Sequence, residues 1–255
     1  MIYAKNLVKN YGSKEVVKGI NIDVKQGEIY GFLGTNGAGK TTTIKMLTGM
    51  IPQTSGEIKI MGKDFAKNEI EIKQNIGVIP EEPKIYSYFT GFEFINFIMD
   101  VFRMNNPQTR SYFEELCEAF NIDYLSTEVG EMSHGMKQKL MLSSVLMRKP
   151  KIIFMDEPTV GLDAKSAKIL KELLGKMAGN GSTIFLTTHV LEIAEKMCSR
   201  IAILNGGKII ADGSLSQLRQ LAAKSTDNND TESLEDLFLK LTGQEEEVIS
   251  IVKEL

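Results

Sequence analysis

At 255 residues, with 42% hydrophobic and 25% charged residues, the chain is long enough to bury a substantial core and has an ordinary globular composition. A formal net charge of −3 supplies no overall attraction for nucleic acid or anionic lipid, so only a local basic patch could argue for either. Cys117 and Cys198 lie far apart, form no CxxC, and have only His134 and His189 as possible metal co-ligands, so both read as reduced packing residues.

The first runs, "MIYAKNLVKNYG" and "EVVKGINIDVKQGE", are β-rich and broken at Gly12 and Gly27, which predicts strands of a small antiparallel sheet. They lack a basic region followed by an apolar stretch, so no cleavable secretion signal is expected and the protein is expected to stay inside the cell. "EIYGFLG", "KIIFMDEP" and "STIFLTTH" are short apolar runs, each followed by helical-looking sequence, as strands covered on both faces require; they predict a parallel, helix-flanked sheet. Between the early and late strands, over about 88–148, the sequence looks helical and predicts an inserted lobe. Its most apolar stretch, "YFTGFEFINFIMDVF", is interrupted by Glu93, Asn96 and Asp100 and falls short of the roughly 20 residues that span a bilayer, though it could meet a membrane protein. "IAILNGGKIIADG" places Asn-Gly between two apolar runs and predicts a hairpin. After "SLSQLRQLAAK", the polar "STDNNDTES" reads as a linker, and "LEDLFLKLTG" and "EEEVISIVKEL" as helices whose apolar stripe most simply packs on their own domain.

Three segments carry chemistry. "GTNGAGKT", Gly34 to Thr41, fits G-x-x-x-x-G-K-[ST] directly after a candidate strand. Gly34, Gly37 and Gly39 can take backbone angles closed to other residues, turning successive N–H groups toward a phosphate, while Lys40 reaches its outer oxygens and Thr41 offers a hydroxyl to Mg2+. A helix starting near Lys40 would point its positive end at the same anion. "KIIFMDEP" ends a buried-looking strand in Asp156 and Glu157, where the ligand crevice of an open α/β sheet lies. Asp156 could hold a Mg2+ water and Glu157 could orient and deprotonate the water that attacks a terminal phosphate. His189 ends the next core strand and should emerge at the same edge, either as a γ-phosphate hydrogen-bond donor or as a polar end-cap.

The third segment is "EMSHGMKQK", where Ser133 precedes His134. Adjacent side chains diverge by about 100° around a helix and to opposite faces on a strand, so the pair is poorly placed as a nucleophile and its base. Ser133 reads instead as the N-cap of a following helix, whose free N–H groups are open to an anion.

Taken in order, these residues resemble the ATP-binding subunit of ABC transporters over about 2–218. "GTNGAGKTT" looks like the family's Walker A, "KIIFMDEP" its Walker B, "VGLDA" its D-loop with Asp163, and "TTHVLEIAE" its His switch. "MSHGM" falls where the family carries LSGGQ; Ser133 and Gly135 match, whereas Met132, His134 and Met136 do not. "NIGVIPEEPKIY" resembles the Q-loop, with Glu81 where glutamine is usual; a carboxylate there would bind the ion by charge.

The resemblance implies a P-loop NTPase (RecA-like) α/β core with an N-terminal antiparallel β subdomain, an inserted α-helical subdomain and a short helical C-terminal tail. It places an ATPase domain at 1–218 and a linker with the tail at 219–255. It further implies ATP and Mg2+ as cofactors. Catalysis would fall to Glu157, His189 and Lys40, and metal contact to Thr41, Glu81 and Asp156. Nucleotide contacts would come from Tyr11, Val16, Gly34, Thr35, Asn36, Gly37, Ala38, Gly39, Lys40, Thr41, Thr42 and Asp163, with Ser133 and Gly135 serving the nucleotide of the opposite subunit. Tyr11 would stack on adenine, unless it is simply a strand-end packing residue.

Implied partners are a second ATPase subunit, identical or related, and polytopic membrane permease subunits, with the chain peripheral on the cytoplasmic face; no nucleic acid is expected. "EEP" and "SHGMKQ" look most similar to subunits of bacterial exporters of drugs or peptides. Two rivals remain: an ABC-type mechanical ATPase acting on ribosomes or DNA, and a P-loop kinase or GTPase switch.

Overall fold

The computed structural model describes residues 1–223 and 234–243. In chain order its elements are β1 (Ile2–Tyr11), β2 (Lys14–Val24), β3 (Ile29–Gly34), α1 (Lys40–Leu47), β4 (Ser55–Ile60), α2 (Phe65–Asn75), β5 (Ile76–Ile79), α3 (Gly91–Val101), α4 (Pro107–Phe120), α5 (His134–Leu146), β6 (Ile152–Asp156), α6 (Ala164–Gly179), β7 (Thr183–Thr188), α7 (Leu191–Met197), β8 (Arg200–Asn205), β9 (Lys208–Gly213), α8 (Leu215–Ala223) and α9 (Leu234–Thr242).

The alternating N-terminal runs form the expected antiparallel pair, β1 with β2, and β4 joins the other edge of β1 to complete a sheet ordered β2-β1-β4. The second sheet runs β5-β6-β7-β3-β8-β9, parallel from β5 to β8, with β9 returning antiparallel through the Asn-Gly turn. Every residue of β6 and β7 is buried, because both faces of this sheet are covered. Phe32, Phe154 and Phe185 pack toward the antiparallel sheet and α1, Phe185 lying 5.3 Å from Phe32 and 5.8 Å from Phe154 by ring centroids. Their alternating neighbours Ile153, Met155, Ile184 and Leu186 face the helical lobe and α6. Parallel pairing brings the C-terminal ends of β3, β6 and β7 to one edge, and the segments after Gly34, Asp156 and Thr188 gather there.

The segment expected to be helical contains α3, α4 and α5, each started by a side-chain cap: Thr90 with a Glu93 capping box, Asn106 before Pro107, and Ser133. Arg148 ties this lobe to the sheet. Its guanidinium carbon lies 3.3 Å from the centre of the Phe102 ring and one nitrogen donates to Ile76 O at 2.9 Å, while burial pulls its pKa down to about 10. Among the described residues no helix is long and apolar enough to cross a membrane. Helix α9 packs Leu234 and Leu237 against a cluster containing Leu33, Ala194, Ile201, Ile203 and Leu218, as the stripe predicts. The polar linker from Ser225 and the last segment, "EEEVISIVKEL", lie outside the described residues.

Candidate functional site

The loop from Gly34 to Lys40 joins the end of β3 to the start of α1. Gly37 and Gly39 have φ of 79° and 110°, the left-handed backbone expected of them, and Gly39 caps α1 with no side-chain acceptor. The first-turn N–H groups therefore have no capping side chain to compete with an incoming anion. Gly34 departs from expectation. Its backbone is ordinary strand, and glycine is required because a Cβ would lie 2.5 Å from Leu204 O on the adjacent β8. Lys40, only 7% exposed, folds its ammonium back onto Gly34 O at 2.8 Å and Thr35 O at 3.3 Å. Two backbone carbonyls thus hold the cation at the head of the loop, where a phosphate oxygen could replace them.

Asp156 and Thr187 are register partners on β6 and β7, and the Thr187 hydroxyl donates to Asp156 Oδ1, which fixes the carboxylate inside the sheet edge. Glu157 has φ of 49°, a left-handed conformation that a side chain disfavours, and its N–H donates to Thr187 O at 3.1 Å. This bend turns its side chain away from the strand direction. His189 Nδ1 lies 2.8 Å from Glu157 Oε1, and Glu157 Oε2 is buried with no hydrogen-bond partner. A buried carboxylate oxygen left open, beside one that an imidazole approaches, could serve as a general base.

Lys40, Thr41, Thr42, Asn36, Glu81, Asp156, Glu157 and His189 line one cavity of about 650 Å³, together with Gly37, Gly39 and Val16. Gly34, Thr35 and Ala38 shape the loop from behind, Ala38 being buried. The far wall was not foreseen: Lys14, Glu15, Lys18, Gly206 and Gly207 form it, because Lys18 N donates to Gly207 O at 2.9 Å and seats the β8–β9 turn against β2. The Asn-Gly hairpin signal locates the turn, but only tertiary packing brings it to the cavity. Tyr11 stands at the β1–β2 turn, half exposed, with Lys9 Nζ 5.1 Å from its ring centre, and is not part of the cavity lining.

Ser133, Gly135 and Asp163 are also outside the lining. Ser133 Oγ accepts from Met136 N at 3.2 Å, the capping contact expected, and the His134 ring turns instead onto Gly161. Asp163 caps α6 through Ser166 N at 2.9 Å.

The model of the ABC transporter family matches residues 17–160, more than half of the chain. The chain belongs to the ABC transporter family. It is 36% identical over 219 residues to the linearmycin resistance ATP-binding protein LnrL of Bacillus subtilis, covering 86% of this chain and 70% of that one. It is 39% identical over 214 residues to the bacitracin transport ATP-binding protein BcrA of Bacillus licheniformis, covering 83% and 69%. A solved ATP-binding subunit of an ABC transporter superposes with a TM-score of 0.89 at 29% identity, covering 95% of this chain and 99% of that one. This ABC-type chain is therefore an ATPase with ATP as substrate and Mg2+ as cofactor, which sets the kinase and GTPase readings aside.

The residues fit the ion. No group of three His, Cys, Asp or Glu among the described residues could hold a metal alone. Thr41, Glu81 and Asp156 instead offer the sparse hard-oxygen set that suits Mg2+ when phosphates complete its shell.

Proposed function

We propose that this chain is the ATP-driven subunit of an exporter, working at the cytoplasmic face of a membrane with permease subunits and a second ATPase subunit, identical or related. The observation that carries this reading is a split constellation. Lys40, Asp156, Glu157 and His189 converge on one cavity, while the Ser133–Gly135 helix start lies outside it, free to meet a nucleotide held by another chain. Relatives described by antibiotic resistance, bacitracin transport and Nod factor export support transport outward, whereas the rival action on ribosomes or DNA has no counterpart among them.

In this mechanism the phosphates enter the glycine loop and Lys40 exchanges its two carbonyl partners for phosphate oxygens. Thr41, Asp156 and Glu81 would hold Mg2+, which would neutralise phosphate charge; Val16 in the cavity wall borders the base, and Tyr11, outside the lining, would stack on it. His189 keeps Oε1 of Glu157 occupied so that Oε2 receives the proton of the attacking water. ATP drives closure only through contacts that exist in the closed pair, and Ser133, Gly135 and Asp163 supply them.

We take 1–218 as the ATPase domain and 219–255 as its linker and tail, with α8 (Leu215–Ala223) running across that boundary. Exposed Tyr86, Tyr88, Phe92 and Phe97 form the permease-facing surface, continuous in sequence with Glu81. The test pairs purification with mutation: the chain should co-purify with a polytopic membrane protein, and Ser133→Ala should bind ATP as a monomer yet form no ATP-dependent dimer. Association with ribosomes or DNA, or unchanged dimerisation of the variant, would overturn the reading.

A further inference from the structure

Helix α5 holds the segment that follows Glu157 along one side of its first two turns. His134 and Gln138 are four residues apart, as are Gly135 and Lys139, so these positions share a face. Gln138 is fully buried and donates Nε2 to Pro158 O at 3.2 Å. The ammonium of Lys139, on a side chain only 16% exposed, lies 2.7 Å from Asp163 Oδ2. Asp163 Oδ1 accepts from Ser166 N, so one carboxylate links α5 to the start of α6. Lys139, together with the N–H and hydroxyl of Ser166, holds that carboxyl well below the usual carboxylate range. Gly161, between these anchors, approaches so closely that a Cβ on Gly135 would lie 2.5 Å from Gly161 O. The gripped stretch, 158–163, begins immediately after the left-handed backbone of Glu157, so Gln138 anchors the residue joined directly to Glu157.

We propose that Gln138 and Lys139 are positioning residues for hydrolysis, fixing through Pro158 and Asp163 the direction in which Glu157 enters the cavity, and thereby coupling the chain's own base to the Ser133–Gly135 end of α5. The proposal rests on the reading of Glu157 as the base. Whatever draws on the start of α5 also moves the segment that carries Glu157, so one chain connects two nucleotide sites.

Lys139→Ala should lower kcat for ATP about ten- to hundredfold, the scale of misplacing a catalytic group by up to an ångström, with KM and the affinity of the isolated chain for ATP unchanged. Lys139→Arg should restore most of the rate, because a guanidinium can also reach Asp163. Wild-type kcat in Lys139→Ala would overturn the proposal, as would a parallel loss of ATP affinity and thermal stability that Lys139→Arg does not rescue. Glu157→Gln measured alongside separates the two claims: a normal rate there defeats the base assignment, whereas an inactive Glu157→Gln beside a fully active Lys139→Ala defeats only the positioning role.

Discussion

Replacing Gly34 by alanine tests whether the glycine at the head of the phosphate loop is there for packing rather than for backbone freedom. Gly34 pairs in register with Leu204, and an added Cβ would stand 2.5 Å from Leu204 O, 3.2 Å from Ala38 Cβ and 3.3 Å from Leu204 Cβ. Cβ contacts below 3.0 Å are essentially never made, so β3 and β8 must part by at least the difference from 2.5 Å, about 0.5 Å. Neither side can yield by rotating a side chain away, because the nearest atom is backbone within a buried strand. Overpacking of this kind costs about 1–3 kcal/mol. At about 2–4 °C per kcal/mol for a chain of this size, the thermal midpoint should fall by several degrees. The same shift displaces Gly34 O, which holds Lys40, so ATP affinity should weaken about tenfold. Gly37→Ala is the control: nothing lies within 4 Å of its added Cβ, and its φ of 79° carries only the left-handed penalty, about 1–2 kcal/mol. Thermal unfolding and equilibrium ATP binding measure both variants. A Gly34→Ala protein that melts and binds ATP like the parent would refute the steric reasoning.

Two further outcomes follow from packing. Leu237→Ala, at a fully buried position of α9, should cost about 2–5 kcal/mol in denaturant unfolding, whereas a helix merely resting on the surface would lose far less. Burial pushes the Cys117 thiol up to about 11 and the Cys198 thiol to about 12, so at pH 8 native chains should react slowly with iodoacetamide and urea-unfolded chains rapidly, as mass spectrometry would count.

Much of the site was legible because its chemistry sits at strand ends. "GTNGAGKT", "DEP" and His189 each follow an apolar run, and parallel pairing of β3, β6 and β7 turns that sequence regularity into one edge. The Asn-Gly hairpin and the Ser133 cap were local signals and emerged as expected. Strand β4 and helix α2 carried no comparable pattern. Only Ile58 and Ile60 are buried in β4, only Ile72 in α2, and Asn68 kinks that helix. What sequence could not convey was contact between distant segments: the Gly207–Lys18 wall of the cavity, the steric demand at Gly34, and the grip of Gln138 on Pro158. The left-handed bend at Glu157 belongs to the same class, since no residue type announces a glutamate held at φ of 49° by its neighbours.

The central claim is that the open oxygen of Glu157, with its partner held by His189, takes the proton of the water that cleaves ATP. Glu157→Gln keeps the size of the side chain and leaves an amide oxygen for His189, but removes the base. Measured as phosphate release under saturating ATP and Mg2+, with nucleotide affinity determined in parallel, the variant should lose about 10²–10⁴-fold in turnover while binding ATP as tightly as the parent. Hydrolysis at the parental rate would contradict the assignment.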